Sequence, residues 1–484
     1  MQKYKNEWFG NIKGDILAGI VVCLALFPEV IGFMLVAGVE PIIGVYATFF
    51  ITATAAFFGG RTGLISAAAG SVALVLANLV AEYGIEYLFA ATILAGIIQV
   101  VLGIFKVGKL MRYIPKPVML GFVNGLGIMM FLSQLDHFKG GPILIVLGII
   151  GIAIIFLAPK LTKKIPAPII SIAVITALVL GLDLNAQLLG DLGTISSDLP
   201  HFGIPRVPMN LDTVKIILPT SLSVAIVGLV ESLLTAQLVD ELTNEPSDKN
   251  RESMSQGIGN MLSGFFGGIA GCGMIGQTII NLNYGGIGRL ATFLSGFFML
   301  MSVVLFNKVV VQIPIIALAA VMVVVAYETI DWRSVKRLNV MPKNESFVMI
   351  LTVGIVLGTH NLAYGVVAGT LVSAIFAAFK MAHFQVEKGT DQDDYHYKAH
   401  GYLYFASAEK FSDFFVHDFE HEGELIIDVS AMTLWDSTAV EAVDKLISKN
   451  KDSNVTFINA NKQSKELFKK NSTHHDKKNQ NGDL

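Results

Sequence analysis

Long apolar runs, separated by shorter polar stretches, follow one another from residue 16 to residue 379. A helix needs about 20 mostly apolar residues to cross a bilayer, so each run predicts a membrane segment. We predict about fourteen segments, seven on each side of the polar residues 183–212, and an odd number per half inverts the second half relative to the first. The predicted cores are residues 16–38, 42–58, 64–80, 87–105, 115–134, 142–158, 166–183, 214–239, 255–270, 273–284, 289–306, 313–327, 345–359 and 361–379.

Charged residues between the segments differ in sign on the two predicted sides. Basic residues occur at the N-terminus and in loops after even-numbered segments, such as Lys106 and Arg333, whereas the opposite loops carry acids such as Glu40 and Glu82. Cytoplasmic loops of membrane proteins are enriched in lysine and arginine. Both termini are therefore predicted to be cytoplasmic, and the protein to be a multi-pass protein of the plasma membrane.

One glycine-rich pattern, FFGGxxG, occurs once in each half, at residues 57–63 and 265–271. A short helical run is predicted after each copy, at residues 72–80 and 277–283. Glycine-interrupted apolar segments at matching places in two halves point to a transporter binding site. A helix that starts inside the membrane presents unpaired N–H groups and the positive end of its dipole, so two facing starts would bind an anion. The alternative is a pair of glycine-rich contacts that only allow helices to pack closely.

Two acidic residues lie inside apolar segments. Glu231 is the only charged residue in the range 216–239, and an acid in mid-membrane costs about 2.5–3.5 kcal/mol on insertion scales. Thr235 lies one turn later on the same helix face. The pair is a candidate sodium site, Glu231 is also a candidate proton carrier, and a buried structural acid is the alternative. Glu29, which follows Pro28, either lines the cavity or extends to an interface.

Side chains near the two predicted helix starts offer hydrogen bonds rather than charge. They are those of Ser71, Gln277 and Thr278, and the glycine-rich stretches contain no lysine or arginine except Arg61. An anion held mainly by helix dipoles and N–H groups would be bound weakly, and a nearby cation would strengthen the site. This is a physical reason to expect sodium to bind together with the anion.

Composition excludes several classes of function. The 484 residues are 53% hydrophobic and 15% charged, and the net charge of −3 does not indicate nucleic-acid binding. Cys23 and Cys272 lie in apolar segments and indicate no disulfide framework. No phosphate loop, metal-ligand cluster or nucleophile elbow is present in the sequence. We therefore predict no enzyme and no cofactor other than a coupling ion.

The chain becomes polar near Val386, and strands then alternate with helices, which predicts a small α/β domain. We predict a transmembrane domain over residues 1–385, the small domain over 390–470 and a disordered tail over 471–484. The predicted strands are residues 402–405, 425–429 and 455–458, and the predicted helices are residues 408–419, 437–449 and 462–470.

Several motifs together resemble the sulfate permease (SulP) family of anion transporters with a C-terminal STAS domain. They cover nearly the whole chain, and residues 250–253 and 271–278 look most similar to sodium-dependent bicarbonate transporters. The motifs are GDILAG at 14–19, PxxGxY at 41–46, ESLLT at 231–235, NxxSGFFGG at 260–268, LYFASAE at 403–409, and Asp428-x-Ser430 followed by Asp436-Ser437-Thr438.

The resemblance implies a seven-plus-seven inverted repeat with core and gate domains, an elevator-like motion and a homodimer. It implies an anion between the starts of the third and tenth segments, and sodium at Glu231 and Thr235. The implied anion-binding residues are Ala69, Gly70 and Ser71 opposite Cys272, Gly273 and Met274, with Gln277 beside them.

Two positions qualify the resemblance. The family's usual Gly-Pro opening of the third segment is Gly70-Ser71 here, which changes the geometry expected at the site. Ser437 matches a position that is phosphorylated in some STAS proteins, and a helix N-cap is the alternative role.

The expected function is secondary active uptake of bicarbonate with sodium. The alternatives are proton-coupled transport of sulfate or a dicarboxylate, a chloride-type exchanger or channel, and a membrane-anchored regulator. A cytoplasmic partner of the STAS domain is a further expectation.

Overall fold

The computed structural model describes residues 2–106, 108, 114–139, 141–161, 166–192, 199–382, 384–388, 395–417, 425–449 and 455–472. Most of the predicted tail, residues 473–484, lies outside these described residues. The chain divides into two compact units, Met1–Thr370 and Leu371–Leu484. We refer to them as the membrane unit and the C-terminal unit.

Helices dominate the chain as far as Met381, and two three-residue strands interrupt them. The helices in order are α1 (Gln2–Phe9), α2 (Ile12–Ala37), α3 (Pro41–Phe58), α4 (Gly70–Tyr83), α5 (Ile85–Ile104), α6 (Lys116–Gln134), α7 (Pro142–Leu161), α8 (Ala167–Gly181), α9 (Leu211–Thr243), α10 (Lys249–Phe265), α11 (Ile275–Asn283), α12 (Arg289–Val310), α13 (Ile315–Thr329), α14 (Trp332–Lys336), α15 (Lys343–Thr359) and α16 (Leu362–Met381). The strands are β1 (Ser66–Ala68) and β2 (Gly271–Gly273).

Every predicted apolar core overlaps one of these helices. Within the described residues, eight helices are long and apolar enough to cross a membrane, and three shorter apolar helices, α4, α8 and α13, accompany them. The count of fourteen membrane segments stays a prediction. The helices α4 and α11 begin at Gly70 and Ile275, two residues before the predicted starts, because each follows directly on its short strand.

Helix ends follow local sequence signals. Proline stands at the first positions of α3, α6 and α8, where its missing N–H is not needed. The Asn210 side chain accepts a hydrogen bond from the Thr213 N–H at the start of α9. Gly38 ends α2 in the left-handed conformation with φ of 70°.

The long helices of the membrane unit pack in two groups. One group contains α2, α3, α4, α5, α9, α10, α11 and α12, and the other contains α6, α7, α8, α13 and α15. The groups touch mainly where α2 packs against α13 and α8. Helices α2 to α5 of the first half therefore fall in the same group as α9 to α12 of the second half, as an inverted repeat requires.

The C-terminal unit is a four-stranded sheet with helices. Its core contains Phe411, Phe415, Ile427, Phe457 and Phe468. The sheet order is β3–β4–β5–β6, in which β3 and β4 are antiparallel and the other neighbours parallel. Its elements are β3 (Gln385–Lys388), β4 (Tyr395–Leu403), α17 (Ala408–Ser412), β5 (Leu425–Leu434), α18 (Ser437–Lys449), β6 (Val455–Ile458) and α19 (Lys462–Asn471).

The structure corrects three predictions for this unit. The strand predicted at 402–405 ends at Leu403, because the Phe405 N–H donates to the Asp436 carboxylate (2.9 Å) in a turn. The helix predicted at 408–419 is α17 followed by a π-helical turn, Asp413–His417, and residues 418–419 lie outside the described chain. Ser437 is the first residue of α18, and the capping side chain is that of Asp436, which accepts from the Ala439 N–H (2.9 Å).

Candidate functional site

The two glycine-rich stretches meet in an antiparallel pair of strands. In this pair Ser66 lies opposite Gly273, Ala67 opposite Cys272 and Ala68 opposite Gly271. The strands come from different halves of the chain, and both are fully buried. Pairing satisfies backbone groups that would otherwise be unpaired inside a membrane.

Each strand leads directly into a helix whose first turn has no side-chain cap. The residues before the helices, Ala69 and Met274, have an extended backbone. Their side chains form no capping hydrogen bond. The first N–H groups of α4 and α11 thus remain available to a ligand. Such helix starts are suited to binding anions.

Neighbouring side chains fix the second strand from both sides. The Asn260 side chain accepts from the Gly271 N–H (2.8 Å) and donates to the Gly271 carbonyl (3.1 Å). Ser232 of α9 accepts from the Gly273 N–H (2.8 Å). Thr278, a predicted hydrogen-bonding side chain, accepts from the Ile65 N–H (3.0 Å) and so joins α11 to the approach to β1. The helix starts are therefore held rigidly.

A cavity of about 340 Å³ lies beside both helix starts. Its walls come from α2, α4, α6, α9, α11 and α13, so both helix groups contribute. On the α6 and α13 side the wall is mainly apolar, with Phe122, Leu126 and Val325. The predicted site residues that line the cavity are Glu29, Gly70, Ser71, Glu231, Met274 and Gln277.

Glu231 connects the parts of the site. Its carboxylate accepts hydrogen bonds from the Ser71 hydroxyl at the start of α4 (2.5 Å) and from the Cys272 thiol of β2 (3.2 Å). Glu29 accepts a short hydrogen bond from the Gln277 amide on α11. Glu29 thus lines the cavity, as one of the two alternatives for this residue expects.

Thr235 lies close to Glu231 in sequence, but its hydroxyl does not contact the Glu231 carboxylate. It is fully buried, 2.8 Å from the Glu231 backbone carbonyl and 3.1 Å from the Gly273 carbonyl. A hydroxyl has one proton, so it donates fully to only one of these oxygens. The two carbonyl oxygens therefore share a single hydroxyl proton, and one of them keeps a lone pair that this hydroxyl does not satisfy.

The other predicted anion-binding residues lie behind the cavity wall. Ala69 is 1% exposed and Cys272 is 0% exposed, and Gly273 is buried in β2. Of the three, Cys272 reaches the site through its hydrogen bond to Glu231.

Two lining residues were missed in the sequence analysis. Glu328, at the C-terminal end of α13, adds a third carboxylate to the cavity, and an acid directly after an apolar core was the signal for it. The Phe33 ring lies against Gly70, where an added Cβ would be 2.7 Å from the ring. Sequence alone gives no signal for this close approach.

The electrostatics of the cavity are unusual for an anion site. Among the described residues that line it, three are glutamates and none is lysine, arginine or histidine. The positive potential comes from the two helix starts, each equivalent to roughly half a unit charge. An anion bound there alone would face uncompensated carboxylates.

Comparisons with known proteins agree with this architecture. Residues 12–143 and 142–352 match the sulfate permease family, and residues 385–476 match the STAS domain. A putative sulfate transporter, YbaR of Bacillus subtilis, is 46% identical over 96% of this chain and 98% of its own length. The bicarbonate transporter BicA of Picosynechococcus is 27% identical over 81% of this chain and 75% of its own length.

Solved structures show the same fold. The transmembrane domain of a cyanobacterial bicarbonate transporter BicA superposes with a TM-score of 0.65 at 24% identity, covering 75% of this chain and 98% of that one. The structure of SLC26A9 gives a TM-score of 0.81 at 19% identity, covering 97% and 87%. The family consists of transporters, which confirms the prediction that the chain is not an enzyme. The chain belongs to the sulfate permease family of membrane anion transporters and carries a C-terminal STAS domain.

Proposed function

We propose that this protein imports a small monovalent oxyanion, bicarbonate, together with sodium. The observation that carries the proposal is the cavity itself, where two uncapped helix starts face three glutamates and no described basic side chain. A cation bound with the anion offsets the carboxylate charge. The proposal includes a plasma-membrane location, cytoplasmic termini and a homodimer.

Charge balance favours a monovalent anion. Two helix starts supply together about one unit of positive charge. Sodium at Glu231 would neutralise that carboxylate and leave the helix starts to hold one negative charge on the substrate, while Glu29 and Glu328 add further negative charge to the cavity. A divalent anion such as sulfate would need a further positive charge, for which the described lining offers no basic residue.

The surroundings of Glu231 favour sodium over a proton as the coupling ion. Sodium is a hard cation that prefers oxygen ligands, like the hard cations calcium and magnesium. The Glu231 carboxylate, the Thr235 hydroxyl and the Gly273 carbonyl supply such oxygens within one short stretch of α9 and β2. The Thr235 hydroxyl oxygen and the Gly273 carbonyl oxygen are 3.1 Å apart. Only a modest rearrangement would therefore be needed for both oxygens to ligate the ion.

An elevator-like movement is consistent with the packing. Both helix starts, Glu231 and Thr235 belong to one helix group, whereas Phe122, Leu126 and Val325 belong to the other. Movement of the first group past the second would carry both helix starts, Glu231 and Thr235, and leave behind a mainly apolar wall that contains Glu328.

The test is uptake of labelled bicarbonate and labelled sulfate into proteoliposomes, under a sodium gradient or a pH gradient. We expect sodium-driven bicarbonate uptake that the Glu231→Gln variant loses. Glu241→Gln is the matched control, because Glu241 lies on the same helix, is exposed and does not line the cavity. Sodium-independent bicarbonate uptake by the wild type would overturn the coupling.

Proton-coupled sulfate transport is the second candidate. It is favoured by the 46% identity to a putative sulfate transporter, and Glu231 would then carry the proton. Sulfate uptake driven by a pH gradient and indifferent to sodium would replace the first proposal with this one.

A further inference from the structure

A second cavity lies on the other side of α2 from the anion site. It has a volume of about 480 Å³ and is lined by α2, α8 and the C-terminal half of α12. From α2, Cys23 and Phe27 face this cavity, whereas Glu29 and Phe33 face the anion site. The lining is almost entirely aliphatic and aromatic, and nothing in the proposed transport cycle uses it.

The cavity is a slot that runs along α8. Its lining residues on this helix extend from Ile169 to Leu180, a rise of about 16 Å at ~1.5 Å per residue. Half of a hydrocarbon core of about 30 Å has nearly the same depth. Leu180, Phe306 and Val309, which border the slot, are 47%, 59% and 62% exposed, so the slot opens onto the exposed apolar surface of the membrane unit. Its length and exposure therefore match an acyl chain of one leaflet.

Polar groups are present at a few points in the slot. The Thr176 hydroxyl oxygen is buried and has no hydrogen-bond partner within the described part of the chain. Pro28 of α2 has no N–H, so the carbonyl of Leu24, another lining residue, lacks its usual helical donor. Polar groups of this kind in an apolar wall suit a mostly apolar ligand with an oxygen-containing group.

A basic residue lies on α12 near one end of the slot, although it does not line the slot. The segments after α8 and α12 pair with each other, since the Leu189 N–H donates to the Ile313 carbonyl (2.8 Å), so both helices end at the same membrane face. Lys308 is exposed in the last turn of α12 and lies between the lining residues Phe306 and Val309 in sequence, so its long side chain has to extend around the helix to reach the end of the slot. A lysine at the membrane interface attracts lipid phosphate groups.

We propose that this slot binds a phospholipid, with one acyl chain along α8 and the phosphate near Lys308. The occupant is a membrane lipid because the slot is apolar, has the depth of one leaflet and opens among lipid-facing side chains. It lies where α2 and α8, members of different helix groups, contact each other.

The test uses the full-length protein in nanodiscs that contain phosphatidylglycerol with a photoreactive diazirine in its acyl chain. After irradiation, peptide mass spectrometry locates the adducts, which we expect on α8 and α12 residues that line the slot. Ala177→Phe fills the slot and should lower the adduct yield about tenfold, because displacing only two methylenes already corresponds to a factor of that order. Ala177 is exposed, so the larger side chain does not disturb buried packing.

The matched control is Val174→Phe, on the same helix but outside the slot, and it should leave the adduct yield unchanged. Ala173→Phe is a second slot-filling variant, and thermal unfolding in the nanodisc verifies that each variant folds. Adducts spread evenly over all lipid-facing helices, or equal yields for Ala177→Phe and Val174→Phe, would overturn the proposal. Equal labelling by a photoreactive free fatty acid, or no effect of Lys308→Gln, would overturn the phosphate contact.

Discussion

Glu231 accepts hydrogen bonds from Ser71 of the first sequence half and from Cys272 of the second. A proline at this position, which the resemblance to the family leads one to expect, has no hydroxyl and could not make this contact. The carboxylate thus contacts one residue beside each of the two helix starts. Thr235 contributes differently, since its hydroxyl contacts backbone carbonyls and not the carboxylate.

Two substitutions at Thr235 distinguish the effect of the side-chain volume from the effect of the hydroxyl oxygen. Thr235→Val keeps the volume but removes the hydroxyl oxygen, and we expect the half-saturating sodium concentration to rise about tenfold, equivalent to ~1.4 kcal/mol. Thr235→Ser keeps the oxygen and should stay near wild type. Sodium titration of bicarbonate uptake measures both, and an unchanged sodium dependence in Thr235→Val would contradict a ligand role.

At the scale of elements, the pairing of β1 and β2 fixes the relation of the two short helices. Gly271 pairs with Ala68, and a Cβ at Gly271 would lie 2.0 Å from the Ala67 carbonyl oxygen. No other side chain fits without separating the strands. Glycine is required at position 271 because the Ala67 carbonyl oxygen lies where a Cβ would be, and not because the backbone needs glycine's conformational freedom.

We expect Gly271→Ala to destabilise the protein by about 1–3 kcal/mol, the usual cost of overpacking a buried site, and to abolish uptake. Gly276→Ala is the control, because a Cβ there would meet no atom within 4 Å although Gly276 lines the anion cavity. Melting temperature in detergent compares the two variants. A Gly271→Ala protein as stable as Gly276→Ala would show that the strand pairing tolerates a side chain.

Sequence patterns located the helices well and the strands of the site poorly. Apolar runs of about twenty residues are unambiguous, so α2 and α12 lie close to their predicted cores. Three-residue strands such as Ser66–Ala68 have no periodicity, and their partner is about 200 residues away. Glu231 was recognised because a charge in an apolar run is visible locally, whereas its contact with Ser71 depends on tertiary structure.

At the scale of the whole molecule, the chain consists of two compact units with separate cores. The C-terminal unit has its own buried residues, including Phe411, Val443 and Phe457. The anion cavity is lined entirely by residues of the membrane unit, from Glu29 to Thr329. Its chemistry therefore does not require the sheet.

We expect a chain that ends at Ala382, after α16, to fold and to keep bicarbonate uptake with the same sodium dependence. Size-exclusion chromatography and proteoliposome uptake test this, with the full-length protein as control. A truncated protein that is monodisperse but inactive would show that transport requires the STAS domain.

The pairing of β1 with β2 has a consequence for biosynthesis. Ser66 is translated about 200 residues before Gly273, which at 5–20 residues per second is roughly 10 to 40 s. During that interval the N-terminal half occupies the translocon or bilayer with a strand whose hydrogen-bonding groups have no partner. A ribosome that stalls within the second half would leave this strand exposed, and such a nascent chain should be a preferred substrate for membrane quality-control proteases.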